Sequence, residues 1–389
     1  GIGLLTPKTD DPSLTIEHAQ DIVFLGVLSF FDPVRDEVPA ALTRINEYGA
    51  RVIMATGDLP GTAMAVANEL GWNVTRRNVL TGAELDAISD EDLIAVLDRI
   101  HIFARVTPQD KLRITKLHQH QGEIVAMTGD GVNDAPSLKA ANIGVAVGSG
   151  SDVAKSVADL ILLDDNFATI VATIDEGKQI LSNIKKVFVY LMSNALDELI
   201  LVGGAIVLAV PLPLTAVQII WVNLFAGSLP AIAFAFDGQR MRESESSSRQ
   251  FFDPRTVFLT TSVGVAISIF LLALYLFLLN AGVATEIARS VLFASFGAYA
   301  LIIAFSFLDL SRPIFSYPLF QNRVLLLGVV IGLSLMAASL YVPFLQGVLN
   351  TTPLPLPWLG FVVVWLIGNV LFVEAMKWFA NTFLVREAD

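Results

Sequence analysis

Six apolar stretches, 187–209, 214–236, 256–280, 290–308, 324–344 and 358–376, fill the second half of this chain, with short polar connectors between them. A helix needs about 20 apolar residues to cross a bilayer core of about 30 Å, so each stretch reads as a membrane span. Lipid offers backbone groups no water, which leaves a spanning chain few alternatives to the helix. The even number returns both ends of the region to one side. Lys185, Lys186, Arg240, Arg242, Arg249, Arg255, Arg312, Arg323, Lys377 and Arg386 all fall on the side of the first half. The opposite connectors, 211–213, 280–288 and 350–357, hold no basic residue, and Arg289 is the nearest. The positive-inside rule then makes the first half cytoplasmic and the whole a multi-pass protein, expected in the plasma membrane.

Residues up to 186 mix charge with apolar residues as a water-exposed domain does. The net charge of −12 speaks against nucleic acid as a partner. Without cysteine, neither disulfides nor thiolate metal sites can form. A start at Gly1 with no signal-like segment leads us to expect a fragment or a processed product.

Short apolar runs at 21–30, 51–56, 101–104, 123–128, 143–147 and 159–163 read as strands. Helical patterns at 36–48, 61–70, 91–99, 109–118 and 134–140 alternate with them. Such alternation predicts an α/β, Rossmann-like parallel sheet ahead of an all-α membrane domain. Ligands of such sheets bind at loops leaving the carboxyl ends of strands. Two of those loops are Thr56-Gly57-Asp58 and Thr128-Gly129-Asp130.

The second loop continues as Thr128-Gly129-Asp130-Gly131-Val132-Asn133-Asp134-Ala135-Pro136, following a strand and opening a helix. Its two carboxylates suit Mg²⁺, a hard ion that takes oxygen ligands and keeps water. Its glycines permit close backbone approach to a phosphate.

This nine-residue string resembles the hinge motif of the P-type ATPases, in the haloacid-dehalogenase superfamily. Asp32-Pro33-Val34-Arg35 looks like that family's DPPR, and Thr56-Gly57-Asp58 with Thr62-Ala63 like its TGDxxxTA. Ala104-Arg105-Val106, Pro108 and Lys111 are similar to its ARVxPxxK, and Gly148 to Lys155, Asp164-Asp165-Asn166-Phe167 and Glu176-Gly177 continue the match. The likeness covers 19–237 with little gap, the rest more loosely, and leans to the calcium-pump-like members. It implies three parts: an end of the nucleotide domain or hinge over 1–20, a phosphorylation domain over 21–186, and a six-helix cation-transport domain over 187–389.

By resemblance, Asp130 would hold Mg²⁺ at the transferred phosphoryl group, while Asn133 and Asp134 secure the loop. Lys111 would neutralise the phosphoryl oxygens and Thr56 hydrogen-bond one of them. Arg35, Gly57, Asp58, Arg105, Gly129 and Gly131 would line the phosphate and nucleotide loops, with ATP and Mg²⁺ as cofactors of the full-length protein. Taken singly, Lys111 reads as a solvated lysine, Thr56 as a strand end and Arg105 as a surface ion-pair partner; joint occurrence favours the site.

The family's nucleophile lies in DKTG, which is absent here. The chain alone is therefore expected to be inactive, with the missing N-terminal half of the pump as its partner. A membrane-anchored haloacid-dehalogenase-like phosphatase and a non-catalytic scaffold or regulatory remnant are the competing readings.

In the first span, Asn194, Asp197 and Glu198 share one helical face by their spacing. Ionisable groups inside a span are costly and read as functional. The resemblance makes Asn194 and Asp197 ion ligands, with Asn223 of the next span beside them and Glu198 close by. Where the family pattern continues with Thr and Asp, this chain has Ala226 and Gly227. Fewer carboxylates compensate a divalent ion less well, so Ca²⁺, Na⁺, K⁺ and H⁺ all remain candidate cargo. Asp309, Asn369 and Glu374 read as interfacial or packing residues.

Overall fold

A computed structural model describes residues 2–4, 23–26, 33–237 and 251–384. The expected hinge (apart from 2–4), Asp32 and the Ser/Glu/Arg linker at 243–249 lie outside them. The chain divides into two compact units, Gly1–Ala172 and Thr173–Asp389.

In the first unit, β1 (Ile2–Leu4) pairs antiparallel with β2 (Val23–Gly26), and α1 (Val38–Glu47) follows. Then come β3 (Met54–Thr56), α2 (Pro60–Glu69), β4 (Val79–Thr81), α3 (Gly82–Ala87), α4 (Asp90–Ile94), β5 (Ile102–Ala104) and α5 (Pro108–His120). β6 (Ala126–Gly129), α6 (Ala135–Ala140), β7 (Ile143–Val147), α7 (Asp152–Val157) and β8 (Leu160–Leu162) complete it. From β3 onward every strand pairing is parallel, as the alternation predicts. Hydrogen bonds sort the strands into two sheets, β3-β5-β4 and β6-β7-β8. Among the described residues, β3 and β6 thus have one strand neighbour each.

The core follows from strand periodicity, since successive side chains point to opposite faces. On β5, Ile102 and Ala104 pack with Ala63 and Ala67 of α2, while Phe103 packs on the other face with Ile114 and Leu117 of α5. A strand buried on both faces suits a parallel sheet covered by helices. β1 and β4, each of three residues, were not expected, because so short a run carries no readable period.

Among the described residues, six helices are long and apolar enough to cross a membrane. They begin with α8 (Ala168–Val207), which runs unbroken, so the compositional change at 186/187 falls inside a helix and not in a loop. The second span joins α9 (Ala216–Trp221) to α10 (Ser228–Ala235) through a π-helical stretch, Val222–Gly227. α11 (Pro254–Asn280), α12 (Thr285–Ser306), α13 (Arg323–Tyr341), the short α14 (Pro343–Leu349) and α15 (Leu356–Phe383) follow. Most of α12 is buried while little of α15 is, so α12 is the central post of the bundle.

Candidate functional site

Local sequence places the residues of the first unit. Thr107 caps α5 by accepting the Asp110 N–H at 3.3 Å, and Asp110 Oδ2 accepts the Thr107 N–H at 2.8 Å. This reciprocal cap, with Pro108 in the first turn, fixes where the helix starts. Lys111 is thereby set in the first turn, and its Nζ lies 2.6 Å from Asp134 Oδ1. Asp134 is buried, and its other oxygen accepts the Gly131 N–H at 3.3 Å. A Cβ on Gly129 would stand 2.6 Å from Asp134 Cβ, so only glycine lets the loop close over this carboxylate.

Asp130, at the carboxyl end of β6, lines an open cavity of about 300 Å³ with Arg35, Thr128, Gly129, Val147, Ser149 and Asp165. Ser149 donates its N–H to Asp165 Oδ1 at 2.9 Å, and Arg35 Nη1 reaches the Asp165 carbonyl at 2.7 Å. The Ser149 N–H, seconded by its side chain and by the Arg35 charge, holds the Asp165 carboxyl below the usual carboxylate range. Two carboxylates and exposed loop oxygens with room for water suit Mg²⁺, which needs one or two protein carboxylates beside phosphate and water.

Thr56 ends β3, where its hydroxyl lies 3.2 Å from Asp58 Oδ2 and accepts the Asp58 N–H at 3.1 Å. Arg105 has φ +55° and donates its N–H to the Asp58 carbonyl, tying the loop after β5 to Gly57-Asp58. Among the described residues no hydrogen bond or ion pair joins Thr56 to Lys111 or Asp130. Asn133 is exposed on the turn into α6. The structure thus groups Lys111 with Asp134, Asp130 with Arg35, and Thr56 with Asp58 and Arg105.

The second unit holds a second polar cluster. Asp197 is fully buried on α8; Ser268 of α11 lies 3.1 Å from its Oδ1, while its Oδ2 has no hydrogen-bond partner. Asn194, also buried, has both amide atoms unpaired. Asn223 Nδ2 donates to Glu198 Oε2 at 3.1 Å, joining the first two spans. Asn223 sits in the π-helical stretch, a distortion that recurs at functional sites. The stretch is braced by Tyr190, whose hydroxyl is 2.6 Å from the Ala226 carbonyl, and by Ser228, which donates to the Asn223 carbonyl at 2.9 Å.

A family model described as cation transporting ATPase, C-terminus, matches residues 211–379, and one described as haloacid dehalogenase-like hydrolase matches 7–142. The calcium-transporting ATPase 1 of Bacillus cereus is 35% identical over 388 residues, covering 94% of this chain and 44% of that protein. The chain belongs to the P-type cation-transporting ATPases. The calcium-transporting ATPase of Bacillus subtilis is 38% identical over 87% of the chain and 38% of its own length. A P-type sodium-transporting ATPase of Toxoplasma gondii is 42% identical over 56% of the chain and 17% of its length. This chain thus spans less than half the length of the curated relatives it matches, and aligns with the C-terminal portion of the family.

In this P-type ATPase chain, Ser149, Asp165, Ser268 and Lys377 were not marked as site or buried residues by the sequence. Ser149 and Asp165 could have been found by extending the carboxyl-end rule to the loops after β7 and β8. Lys377 read as a flanking base, yet it is only 1% exposed, bonding Ser306 O at 2.8 Å and Glu374 Oε1 at 3.0 Å. Asp309 pairs with Arg312 and Asn369 donates to the Trp365 carbonyl, both local contacts.

Proposed function

We propose that this chain supplies the magnesium and phosphate loops and the transport-site helices of an ATP-driven cation pump. One observation carries the reading: Asp197 is fully buried in a spanning helix with one carboxylate oxygen unpartnered. No cation of the protein contacts it among the described residues. A carboxylate buried so deeply needs an opposite charge or a proton, and a transported ion supplies one. Ca²⁺ is favoured by the names of the relatives, while Ala226 and Gly227 leave room for Na⁺, K⁺ or H⁺.

Phosphoryl transfer needs mainly positioning and charge stabilisation. Asp130 and Asp165 would hold Mg²⁺, which lends positive charge to the transferred group. Lys111, steered by Asp134, neutralises phosphoryl oxygens; Thr56 donates to one of them; Arg35 braces the Asp165 loop. Arg105 and Asp58 set the neighbouring loop, with Gly57, Gly129 and Gly131 allowing close approach. The phosphorylated aspartate comes from sequence N-terminal to this chain, which holds no DKTG. The helix bearing Asp197 begins at Ala168, just after Asp165. The first half faces the cytoplasm and the plasma membrane is the expected site.

The test is acid-stable phosphorylation from ATP in the full-length pump. Cation should stimulate it in the parent, and Asp197→Asn should abolish the stimulation. The chain by itself should give no phosphoenzyme. An unchanged cation dependence in Asp197→Asn removes this residue from the transport path and the proposal with it.

A further inference from the structure

Successive spans run in opposite directions, so connectors 208–215, 281–284 and 342–355 share one end of the bundle, the outer end when the first unit is cytoplasmic. The positive-inside rule keeps basic residues away from that end. Arg289, near the start of α12, stands there against the rule and needs a reason. Its Nε donates to the Leu212 carbonyl at 2.7 Å, and the Tyr275 hydroxyl of α11 lies 3.4 Å from the same oxygen.

Leu212 stands between Pro211 and Pro213. Proline has no N–H, fixes its own φ and pushes the residue before it into extended backbone. The Leu212 carbonyl is therefore left for a donor from another span, and a hold on it passes stiffly along the connector. Leu214, two residues on, is buried in the core of the bundle.

Ser290, beside Arg289, holds a second connector. Its Oγ accepts the Thr352 N–H at 2.8 Å and lies 3.1 Å from the Thr352 hydroxyl. Gln218, buried in the first turn of α9, donates to the Leu349 carbonyl at 3.0 Å. These bonds form a ring that runs from Leu212 to α12, on to connector 342–355, and back to α9. The ring ties the outer ends of the two spans that carry Asn194, Asp197, Glu198 and Asn223 to the start of α12.

We propose that Arg289 is a positioning residue for ion release, clasping connector 208–215 through the Leu212 carbonyl and letting go when the cation leaves on that side. An ion held between α8 and the π-helical stretch can leave outward only where the outer ends of those spans part, and this connector joins them. Arginine suits a clasp, because a charged donor makes a stronger hydrogen bond than a neutral one. The inference rests on the transport reading of Asp197 and adds the outer mouth to it.

The experiment uses the full-length pump in sealed vesicles, with Leu214→Cys as a reporter in a stretch that has no cysteine of its own. A charged, membrane-impermeant thiol reagent is added on the outer side, and labelling is read by mass at the peptide holding residue 214. The buried reporter should label slowly in the parent. Arg289→Gln should raise the rate about tenfold, the scale of a hydrogen bond to a charged group. The stimulating cation, found by titrating Ca²⁺, Na⁺, K⁺ and protons, should also halve turnover at about a tenfold lower concentration when added from the outer side. A merely structural role would lower the melting temperature and leave that sided inhibition at the parental concentration. Should Arg289→Gln not fold, Tyr275→Phe removes the other donor from the same carbonyl and should move both readings in the same direction. Parental labelling and parental outer inhibition in the variant that folds overturn the clasp. The transport reading survives that result if Asp197→Asn abolishes cation-stimulated phosphorylation; if Asp197→Asn has no effect, both fall.

Discussion

Lys186 of α8 holds its Nζ 2.6 Å from Asp237 Oδ2 at the end of the second span, with side chains only 9% and 2% exposed. Asn183 and Gln179, on the same helix, donate to the Asp237 carbonyl at 3.2 and 3.3 Å. Removing one partner of a buried ion pair costs about 3–5 kcal/mol. Lys186→Met should therefore lower the melting temperature in detergent sharply, and Lys186→Met with Asp237→Leu should recover much of it. Equal melting of the parent and Lys186→Met would show that this pair is not holding the two spans together.

Lys185, the adjacent residue, has its Nζ 2.8 Å from Asp253 Oδ2, and Asp253 Oδ1 caps α11 through the Thr256 N–H at 2.7 Å. Burial by itself would raise the Asp253 carboxyl, but the Lys185 ammonium and the Thr256 N–H outweigh it and hold it below its usual value. A depressed folded pKa stabilises the fold fully above the ordinary value of 3.8 and is lost as pH falls through the folded one. Asp253→Asn should melt lower than the parent at neutral pH, and the gap should narrow as pH drops below that range. Melting curves across an acid series check this, and a gap independent of pH contradicts it.

Gly129→Ala would drive a methyl group into Asp134 and unseat the partner of Lys111. A displacement of about 1 Å near a reacting centre can cost about a hundredfold in rate. The rate of phosphoenzyme formation in the full-length pump should fall by that order, with the fold retained by circular dichroism. A parental rate would mean that Lys111 and Asp134 do not serve the phosphoryl group.

Space exists for the carboxylate missing from the second span. A Cβ on Gly227 would meet Asn223 Oδ1 at an ordinary 3.8 Å. Gly227→Asp, alone or with Ala226→Thr, should lower the Ca²⁺ concentration for half-maximal phosphorylation, by about tenfold for 1.4 kcal/mol of added binding. No change in Ca²⁺ dependence would place the ion elsewhere.

The six spans were legible because length and apolarity suffice for them, and β7 was found at its observed bounds, Ile143–Val147. The pairing of Lys111 with Asp134 was not legible, since the two are far apart in sequence and only the fold of α5 against α6 joins them. Ser268 is a single hydroxyl in an apolar run, indistinguishable there from the serines that merely bond their own helix, such as Ser334 to Val330. Nor does the sequence show that Asn223 sits in a π-helical stretch, because its register depends on how neighbouring spans take up the extra residue.

Four strands, β3, β4, β6 and β8, have a single strand neighbour in the two parallel sheets among the described residues, and all are short and uncharged in a way that bears on sheet edges. Met54-Ala55-Thr56 and Ala126-Met127-Thr128-Gly129 contain no charge and no proline, the residues that ordinarily guard a sheet edge against adhesion. In each, only one side is taken by a strand among the described residues. Their protection is brevity, three and four residues, which limits how many hydrogen bonds a stray chain could gain.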